Sequence, residues 1–338
     1  MATLVIQIPA YNEAETLPEV LGALPREIAG VDEIKVVVVD DGSTDGTATV
    51  ALKHGADYVL RHLANCGLSE SFIDGIEFSL ALGADVIVNT DGDHQYPGES
   101  IPALVKPILE RRADLVIGDR QLSKNAHFSP FKRWLEAVGT AFVRSVSATT
   151  VKDAASGFRA YSRHAALPLK VYNPYSYTLE TLIHTGNSQL KIVDVPIETN
   201  PAKRASRLHK GIFHFLYHQA GAIIRSYVLY RPLRTFLSTG LLAILAGLIP
   251  IIRFLYFYFS RASSGHVQSL SLGTTLVVVG MVLVVIGFLS DAIRANQKLT
   301  ENTLILLRNA HKFENSGAVH EFLGQPVYTK EYPPTSSP

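Results

Sequence analysis

The chain has 338 residues, of which 47% are hydrophobic, so an intrinsically disordered protein is excluded and one large or two ordinary domains are expected. Its single cysteine, Cys66, excludes an intramolecular disulfide framework and a multi-cysteine zinc site. The formal net charge of +1 hides an asymmetry, because segment 199–290 contains basic residues but no Asp or Glu. A segment of one charge sign beside apolar runs indicates anionic head groups or phosphates as partners.

The first two hundred residues alternate strand-like and helix-like patterns. Strands are predicted at 4–10, 35–43, 58–61, 84–91, 114–120 and 191–198, and helices at 14–24, 44–54 and 69–82. Asn12 and Glu15 have the spacing of a capping box for the first helix. Strands that alternate with helices predict an α/β fold with a mostly parallel sheet. The N-terminal residues lack the pattern of a signal peptide, so this domain is expected in the cytosol.

Acidic motifs follow three of these strands, namely YNE (11–13), DDGS (40–43) and TDGD (90–93). The carboxyl ends of parallel strands meet at one edge, where open α/β sheets bind their ligands. A carboxylate of Asp40 or Asp41, in the second motif, can accept hydrogen bonds from a base N–H group or from ribose hydroxyls. The sequence therefore predicts one ligand site built from three loops.

The third motif has the composition of a metal site. Asp91 and Asp93 are separated only by a glycine, and two carboxylates so close together are costly without a cation between them. With Gln95 they offer hard oxygen ligands of the kind that hold Mg²⁺ or Mn²⁺ when phosphate oxygens complete the octahedron. Either ion is compatible with this pattern.

Two long apolar segments near the C-terminus, 236–252 and 267–290, contain no charged residue. The 24 residues of the second segment would form a helix of about 36 Å, enough to cross a hydrocarbon core of about 30 Å. We predict two transmembrane helices; the alternative is a buried helical hairpin of a soluble protein. Lys and Arg residues flank the pair on the outside, so both termini are expected in the cytoplasm.

Glycines recur at seven-residue intervals in both apolar segments and predict one small-residue stripe on each helix, at Gly240, Gly247, Gly273, Gly280 and Gly287. Arg253 lies inside the first span, where it either reaches the outer interface or neutralises a lipid phosphate. The tail after Phe313 is polar and is predicted to be disordered. The predicted regions are an α/β domain at 1–210, an amphipathic juxtamembrane helix at 211–234, a two-helix anchor at 235–295 and a cytoplasmic tail at 296–338.

Five motifs occur in an order that carries a family resemblance: PAYNE (9–13), DDGSTDG (40–46), DGDHQ (91–95), GDR (118–120) and SGFR (156–159). Together they resemble family-two glycosyltransferases of the GT-A type, and most closely the polyprenyl-phosphate branch. That branch includes dolichol-phosphate mannose synthases and bacterial undecaprenyl-phosphate glycosyltransferases. The resemblance covers about residues 3–210. It implies a GT-A nucleotide-sugar-binding domain and inverting transfer of one sugar from a UDP- or GDP-sugar to polyprenyl phosphate on the cytoplasmic leaflet.

The resemblance also assigns roles to residues. It places Pro9, Tyr11, Glu13, Asp41 and Asp91 on the nucleotide sugar, and Asp91, Asp93 and Gln95 on the metal. It places Arg120 and Arg133 on the acceptor phosphate, and Arg159, Arg204 and Arg207 on further phosphates. Asp93, Arg120 and Arg133 are the catalytic candidates. A lipid phosphate is already ionised at pH 7, so no general base is required and arginines suffice to position the charge.

The expected partners are a nucleoside diphosphate sugar, polyprenyl phosphate and the lipids of the cytoplasmic membrane. Nucleic acid is not expected, because the basic residues adjoin the apolar segments, and related bacterial proteins suggest a homo-oligomer. One alternative is a processive polysaccharide synthase, but such enzymes typically carry Gln-x-x-Arg-Trp, whereas this chain has PFKRW at 130–134. The other is a non-catalytic membrane scaffold that senses nucleotides, which the metal-ligand set disfavours.

Overall fold

A computed structural model of the chain describes residues 2–121, 144, 149–171, 177–200, 232–260, 267–310, 320–322 and 324–329. The chain divides into two compact units. The first consists of Met1–Ile212 together with Thr303–Pro338, and the second is Phe213–Asn302. Most of the predicted juxtamembrane helix at 211–234 lies outside the described residues.

A mixed β-sheet forms the centre of the first unit. Its strands are β1 (Thr3–Ala10), β2 (Glu33–Asp40), β3 (Tyr58–Arg61), β4 (Val86–Asn89), β5 (Leu115–Asp119), β6 (Arg159–Ser162), β7 (Ile192–Pro196), β8 (His320–Phe322) and β9 (Gln325–Thr329). The nine described strands are arranged in the order β7-β5-β6-β4-β1-β2-β3-β9-β8. β1 to β4 pair in parallel with their neighbours among themselves, as β5 does with β7, whereas β6 and β9 run antiparallel to the strands beside them.

The helices of the first unit lie between these strands in the chain. They are α1 (Leu17–Ala23), α2 (Thr47–Lys53), α3 (Leu68–Ala81), α4 (Ile101–Leu109), the short α5 (Arg163–Ala166) and α6 (Tyr177–Asn187). The predicted α/β architecture is therefore confirmed, and each predicted strand is found within a few residues of its expected bounds.

The parallel register at the centre of the sheet positions the loops that follow it. β1 lies between β2 and β4, with Ile6 opposite Val36 on one side and Val88 on the other. These strands are nearly continuous runs of buried apolar residues, as expected for strands covered on both faces. Because the three strands run in the same direction, Ala10, Asp40 and Asn89 reach the same edge of the sheet.

The predicted capping box of the first helix is wrong. The helix begins at Leu17 after Thr16, and no side chain caps it. Asn12 instead has a left-handed backbone with φ 53°, and its Oδ1 accepts a hydrogen bond from the Thr44 N–H at 3.0 Å. Asn12 therefore joins the loops that follow β1 and β2 and does not cap the helix.

The prediction of a wholly disordered tail is also wrong. β9 pairs antiparallel with β3, and β8 pairs with β9 to form a hairpin at the edge of the sheet. The Phe322 ring of β8 lies 5.2 Å from the Phe78 ring of α3 in an edge-to-face contact. Phe322, Val327 and Thr329 are buried, and this burial allows an otherwise polar segment to complete the sheet.

The second unit contains two long helices, α7 (Pro232–Phe259) and most of α8 (Val267–Ala310). By length and composition, Pro232–Phe259 and Val267–Ile293 are apolar enough to cross a membrane. Most of their large apolar side chains are exposed, unlike those of the core helices of a soluble protein. The predicted glycine stripe is confirmed, since a Cβ atom added to Gly247 would lie 2.7 Å from the Gly273 carbonyl oxygen.

Candidate functional site

The loops that follow β1 and β2 are joined by hydrogen bonds at the carboxyl edge of the sheet. The Asn12 N–H donates to Ser43 Oγ at 2.9 Å, and the Glu13 N–H donates to Thr47 Oγ1 at 3.0 Å. The Ala14 N–H donates to Asp45 Oδ2 at 3.1 Å. The PAYNE and DDGSTDG motifs therefore form one rigid wall, as their position after adjacent parallel strands predicts.

The loop after β4 contacts this wall through Thr16 and Glu13. The Thr16 hydroxyl oxygen lies 2.7 Å from the Gly92 carbonyl oxygen and 2.9 Å from Glu13 Oε2. A Cβ atom added to Gly92 would lie 3.3 Å from Glu13 Cγ, so the glycine permits close packing. The three predicted acidic motifs thus lie together.

Asp91 is the most perturbed carboxylate of this edge. Burial, together with the charges of Asp93 and Glu13, raises the pKa of Asp91 to about 7, although the Arg120 guanidinium acts in the opposite direction. No hydrogen bond joins the Asp91 carboxylate to another residue within the described part of the chain. Its oxygens are therefore available to a ligand, and a cation beside them would relieve the repulsion from Asp93.

The turn that carries Asp93 is fixed from two sides. Asp93 Oδ1 accepts the Gln95 N–H at 3.0 Å, and His94 between them has a left-handed backbone with φ 60°. Asn200, which follows β7, donates its backbone N–H to the Gln95 carbonyl and its side-chain N–H to the His94 carbonyl, both at 2.9 Å. Sequence reasoning missed Asn200, because its contact crosses more than a hundred residues of chain. With the oxygens of Asp91, Asp93 and Gln95 on one held turn, the donor set fits Mg²⁺ or Mn²⁺.

A second buried layer lies beneath Asp91. Asn89 Nδ2 donates to the Tyr177 hydroxyl at 2.9 Å and to the Gly157 carbonyl at 3.0 Å, while Gln7 Nε2 donates to Asn89 Oδ1 at 2.9 Å. A Cβ atom added to Gly157 would lie 2.7 Å from the Tyr177 hydroxyl and 3.3 Å from Asp91 Oδ1. The glycine of the SGFR motif therefore lets this loop approach the acidic turn.

The Arg120 guanidinium lies close enough to Asp91 to oppose the rise in the pKa of that carboxyl group. Asp153 holds the guanidinium in place. Arg120 Nε donates to Asp153 Oδ2 at 2.7 Å and Arg120 Nη2 donates to Asp153 Oδ1 at 2.9 Å. The Asp153 side chain is 1% exposed and that of Arg120 is 12% exposed, so the pair is largely shielded from water. Sequence reasoning identified Arg120 but missed Asp153, whose bidentate contact sets the direction of the guanidinium.

Arg159 occupies a different environment from the one predicted for it. It is fully buried, and its guanidinium donates to the carbonyl oxygens of Ser156, Thr178 and Ala154 and to Thr181 Oγ1 at 2.7–2.9 Å. All three guanidinium nitrogens have protein partners. The geometry therefore favours a structural role, joining the SGFR loop to α6, over the predicted phosphate contact.

Asp41 is the centre of a chain of charged groups at the far side of the site. Asp41 Oδ1 accepts from His62 Nδ1 and from the Cys66 N–H, each at 2.8 Å, and Asp41 Oδ2 accepts from the Gly67 N–H at 2.9 Å. His62 Nε2 lies 3.0 Å from Asp74 Oδ2, on α3. The sequence predicted Asp41 but not His62 or Asp74. His62 follows β3 and Asp74 lies in α3, and neither belongs to a recognised motif.

These contacts fix the charges of both groups. Burial alone would raise the pKa of Asp41, but hydrogen bonds from His62, Cys66 and Gly67 hold it below its usual value. Burial would likewise lower the pKa of His62, but Asp41 and Asp74 raise it to about 9. At neutral pH, Asp41 is therefore an anion and His62 is a cation with both ring nitrogens protonated.

The remaining predicted site residues fall into two groups. Pro9 is the penultimate residue of β1, with its carbonyl oxygen toward Gly92, and Tyr11 is 42% exposed beside the same wall. Arg133, Arg204 and Arg207 lie outside the described residues, so their predicted phosphate contacts stay predictions.

Comparison with known proteins agrees with this geometry. The model of the family described as Glycosyl transferase family 2 matches residues 5–167. An undecaprenyl-phosphate mannosyltransferase of Micrococcus luteus is 33% identical over 200 residues, which cover 56% of this chain and 80% of that protein. A dolichol-phosphate mannosyltransferase of Pyrococcus furiosus is 32% identical over 220 residues, which cover 62% of this chain and 61% of that protein.

Among solved structures, this chain is similar to glucosyl-3-phosphoglycerate synthase from Mycobacterium tuberculosis, crystallised with Mn²⁺, UDP and glucosyl-3-phosphoglycerate. The TM-score is 0.51 with 22% sequence identity, covering 68% of this chain and 80% of that chain. At this identity the likeness shows the fold, and it confirms the predicted GT-A-type architecture.

Proposed function

Because the chain belongs to glycosyltransferase family 2, we propose that it transfers one sugar from a nucleoside diphosphate sugar to a polyprenyl phosphate, with inversion of the anomeric carbon. The observation that carries this proposal is the meeting of the Asp41, Glu13 and Asp91 loops at one sheet edge. Relatives named for undecaprenyl-phosphate and dolichol-phosphate mannosyl transfer support the choice of acceptor.

Each wall of the site has a part in donor binding. Asp41 binds the base, and the exposed ring of Tyr11 lies on the same side. Asp91, Asp93 and Gln95 would hold a divalent cation. When bound, that cation supplies positive charge for the departing nucleoside diphosphate. Asn200 and Thr16 keep the acidic turn in place, so the ligand oxygens need little reorganisation.

The acceptor is bound by Arg120, which Asp153 orients. An oxygen of the ionised lipid phosphate attacks the anomeric carbon, the bond from that carbon to the diphosphate oxygen breaks, and the nucleoside diphosphate leaves. No proton has to be removed from the acceptor at neutral pH, so positioning by the arginine replaces a general base.

The two apolar helices support a reaction at a membrane, where the acceptor resides. The excess of Lys and Arg outside the spans supports our proposal that the site and both termini lie on the cytoplasmic side. We also propose that the protein forms a homo-oligomer, and this part of the proposal rests on the family resemblance alone.

The test is transfer activity of full-length protein in membranes, supplied with polyprenyl phosphate and a panel of UDP- and GDP-sugars, with the lipid-linked product identified by mass. We expect activity that requires Mg²⁺ or Mn²⁺ and falls at least a hundredfold in Asp93→Ala. Glu99→Ala, which removes an exposed acid a few residues away, is the matched control and should retain activity. Full activity of Asp93→Ala in chelator, or no lipid-linked product with any sugar nucleotide, would contradict the proposal.

A further inference from the structure

The base-binding carboxylate in this site has little hydrogen-bonding capacity left. A carboxylate offers about two acceptor positions on each oxygen. Among the described residues, Asp41 Oδ1 already accepts from His62 Nδ1 and the Cys66 N–H, while Oδ2 accepts from the Gly67 N–H alone. The carboxylate is 4% exposed, so water does not readily compete for these positions. One acceptor position, on Oδ2, remains for a ligand.

Guanine and uracil differ in the number of hydrogen-bond donors that they present to this acceptor position. Guanine presents two parallel donors on one edge, the ring N1–H and the exocyclic amino group, and pairs with a carboxylate through both oxygens. Uracil presents one ring N–H between two carbonyl groups, so it needs a single acceptor. On the Asp41 carboxylate, guanine would leave one donor unpaired in a buried place, whereas uracil would leave none.

We propose that His62, held between Asp41 and Asp74, is a positioning residue that saturates Asp41 Oδ1 and thereby makes the site select uridine over guanosine nucleotides. This inference rests on the proposed function, because it assumes that the base binds at Asp41. It goes further by naming the donor as a uridine diphosphate sugar.

The arrangement around His62 keeps the selection stable over the physiological pH range. The imidazole is fully buried, with Asp41 on the loop after β2 and Asp74 on α3 on its two sides. Asp41, Asp74 and Glu70 all act on the nearby Cys66 thiol, and the chain neighbours Asp40 and Arg61 form an ion pair of their own. Since two anions flank the ring, it stays a cation and cannot rotate its Nδ1–H away from Asp41 without losing both contacts.

The single cysteine of the chain gives a direct report on base binding. Cys66 is exposed, and its backbone N–H is bonded to Asp41. A base seated on Asp41 would cover the thiol and slow its alkylation. Because no other cysteine exists in the chain, the alkylated mass of the whole protein measures this one position.

The experiment measures binding of UDP and GDP to full-length protein in detergent with Mg²⁺, together with protection of Cys66 from alkylation. We expect UDP to bind roughly tenfold or more tightly than GDP and to protect Cys66 at lower concentration. UDP methylated at N3 lacks the ring N–H, so it should lose most of this advantage without any change to the protein.

Two substitutions at His62 form a matched pair. In His62→Asn, the side-chain amide nitrogen lies near the position of Nδ1 and keeps the bond to Asp41, so the preference for UDP should persist. In His62→Gln, the amide nitrogen lies near Nε2 and reaches Asp74 instead, so Oδ1 is freed and the ratio of UDP to GDP affinity should fall toward one. Thermal unfolding of both variants checks that they are folded.

The outcomes separate this inference from the proposed function. Equal or tighter binding of GDP by the unaltered protein, or undiminished affinity for N3-methylated UDP, overturns the uridine assignment while leaving a nucleotide-sugar site. An unchanged UDP to GDP ratio in folded His62→Gln overturns the role of His62. If neither nucleotide binds or protects Cys66, the proposed function fails and the inference fails with it.

Discussion

At the scale of single residues, Arg120 and Asp153 form a pair that must be altered together. Removing the arginine alone would leave Asp153 as a buried, unpaired charge, at a cost of about 3–5 kcal/mol in stability. A loss of activity in Arg120→Ala would therefore not distinguish a lost phosphate contact from a damaged fold. The informative variant replaces both members by neutral groups of similar shape, Arg120→Gln with Asp153→Asn.

For this double variant we expect the KM for lipid phosphate to rise at least tenfold, with the KM for the sugar nucleotide changed much less, because we propose that Arg120 binds the acceptor phosphate. Initial rates measured against each substrate in turn provide the comparison. The single variant Asp153→Asn keeps the guanidinium but loses the charge that orients it, so its KM for lipid phosphate should rise less than that of the double variant. Equal increases in both KM values would argue against an acceptor role for Arg120.

His62 also makes the stability of the first unit depend on pH. Its pKa is raised from 6.5 to about 9 in the folded protein, against the effect of burial, by Asp41 and Asp74. A group with a raised folded-state pKa contributes its full stabilisation below the unfolded value, and this contribution is lost as the pH rises through the folded value. The window of loss is therefore about pH 6.5 to 9, and the contribution is roughly 3 kcal/mol.

We accordingly expect the thermal unfolding midpoint of the full chain to fall between pH 6.5 and 9.5 more steeply than that of His62→Asn, which cannot titrate at this position. Unfolding followed by circular dichroism at several pH values measures both slopes. If the two proteins lose stability in parallel, the imidazolium does not hold this charge.

The sequence identified those site residues whose signal lies within a few positions. Asp91, Asp93 and Gln95 follow a buried strand, and Asp41 follows another, so the topology of an α/β sheet was enough to bring them together. Asp153, His62 and Asn200 were missed because their partners are distant in the chain and their types are common in loops. Arg159 illustrates the opposite error, since a motif arginine was read as a phosphate ligand although its donors satisfy buried carbonyl oxygens.

At the scale of elements, strong periodicity decided what could be predicted. β1 and β2 are runs of Val and Ile, and both were placed correctly because few other structures bury such runs. β6 was overlooked because it has only four residues and begins at the last residue of a recognised motif, and α4 because two prolines interrupt its pattern. The sheet was expected to be mostly parallel, but β6 enters antiparallel between β4 and β5, a pairing that no local pattern specifies.

The two long helices show how small residues determine the closeness with which two helices pack. A Cβ atom added to Gly280 would lie 2.6 Å from Ile244 Cγ1 and 2.7 Å from the Gly240 carbonyl oxygen. Such close backbone approach is available only where glycines face each other, and it provides the packing that lipid cannot.

Near the end of α7, the Arg253 guanidinium lies 5.9 Å from the Phe257 ring, within a run of aromatic residues typical of a membrane interface. This placement favours the interface over the alternative of a lipid phosphate within the bilayer.

At the scale of the whole molecule, the chain returns to its first unit after the apolar helices. Thr303–Pro338 belongs to the same compact unit as Met1–Ile212. Near the end of α8, the buried Arg308 forms an ion pair with Glu77 of α3 and donates to the carbonyl oxygens of Leu167 and Leu169. The first unit is therefore assembled from both ends of the chain, and a division into consecutive domains does not describe it.

The hairpin of β8 and β9 is expected to protect the sheet as well as to extend it. β9 covers the backbone of β3 over Tyr58–Leu60, so its removal would expose a strand edge that can pair with other molecules. We predict that a chain ending after Ala310 unfolds at lower temperature and aggregates, although every predicted site residue is retained. A chain ending after Thr329 keeps both strands and is the matched control. Unfolding midpoints and size-exclusion profiles of the two proteins in detergent measure the difference. Identical midpoints would mean that the first unit is stable without its C-terminal strands, and that Arg308 at the end of α8 is sufficient to join the two ends of the chain.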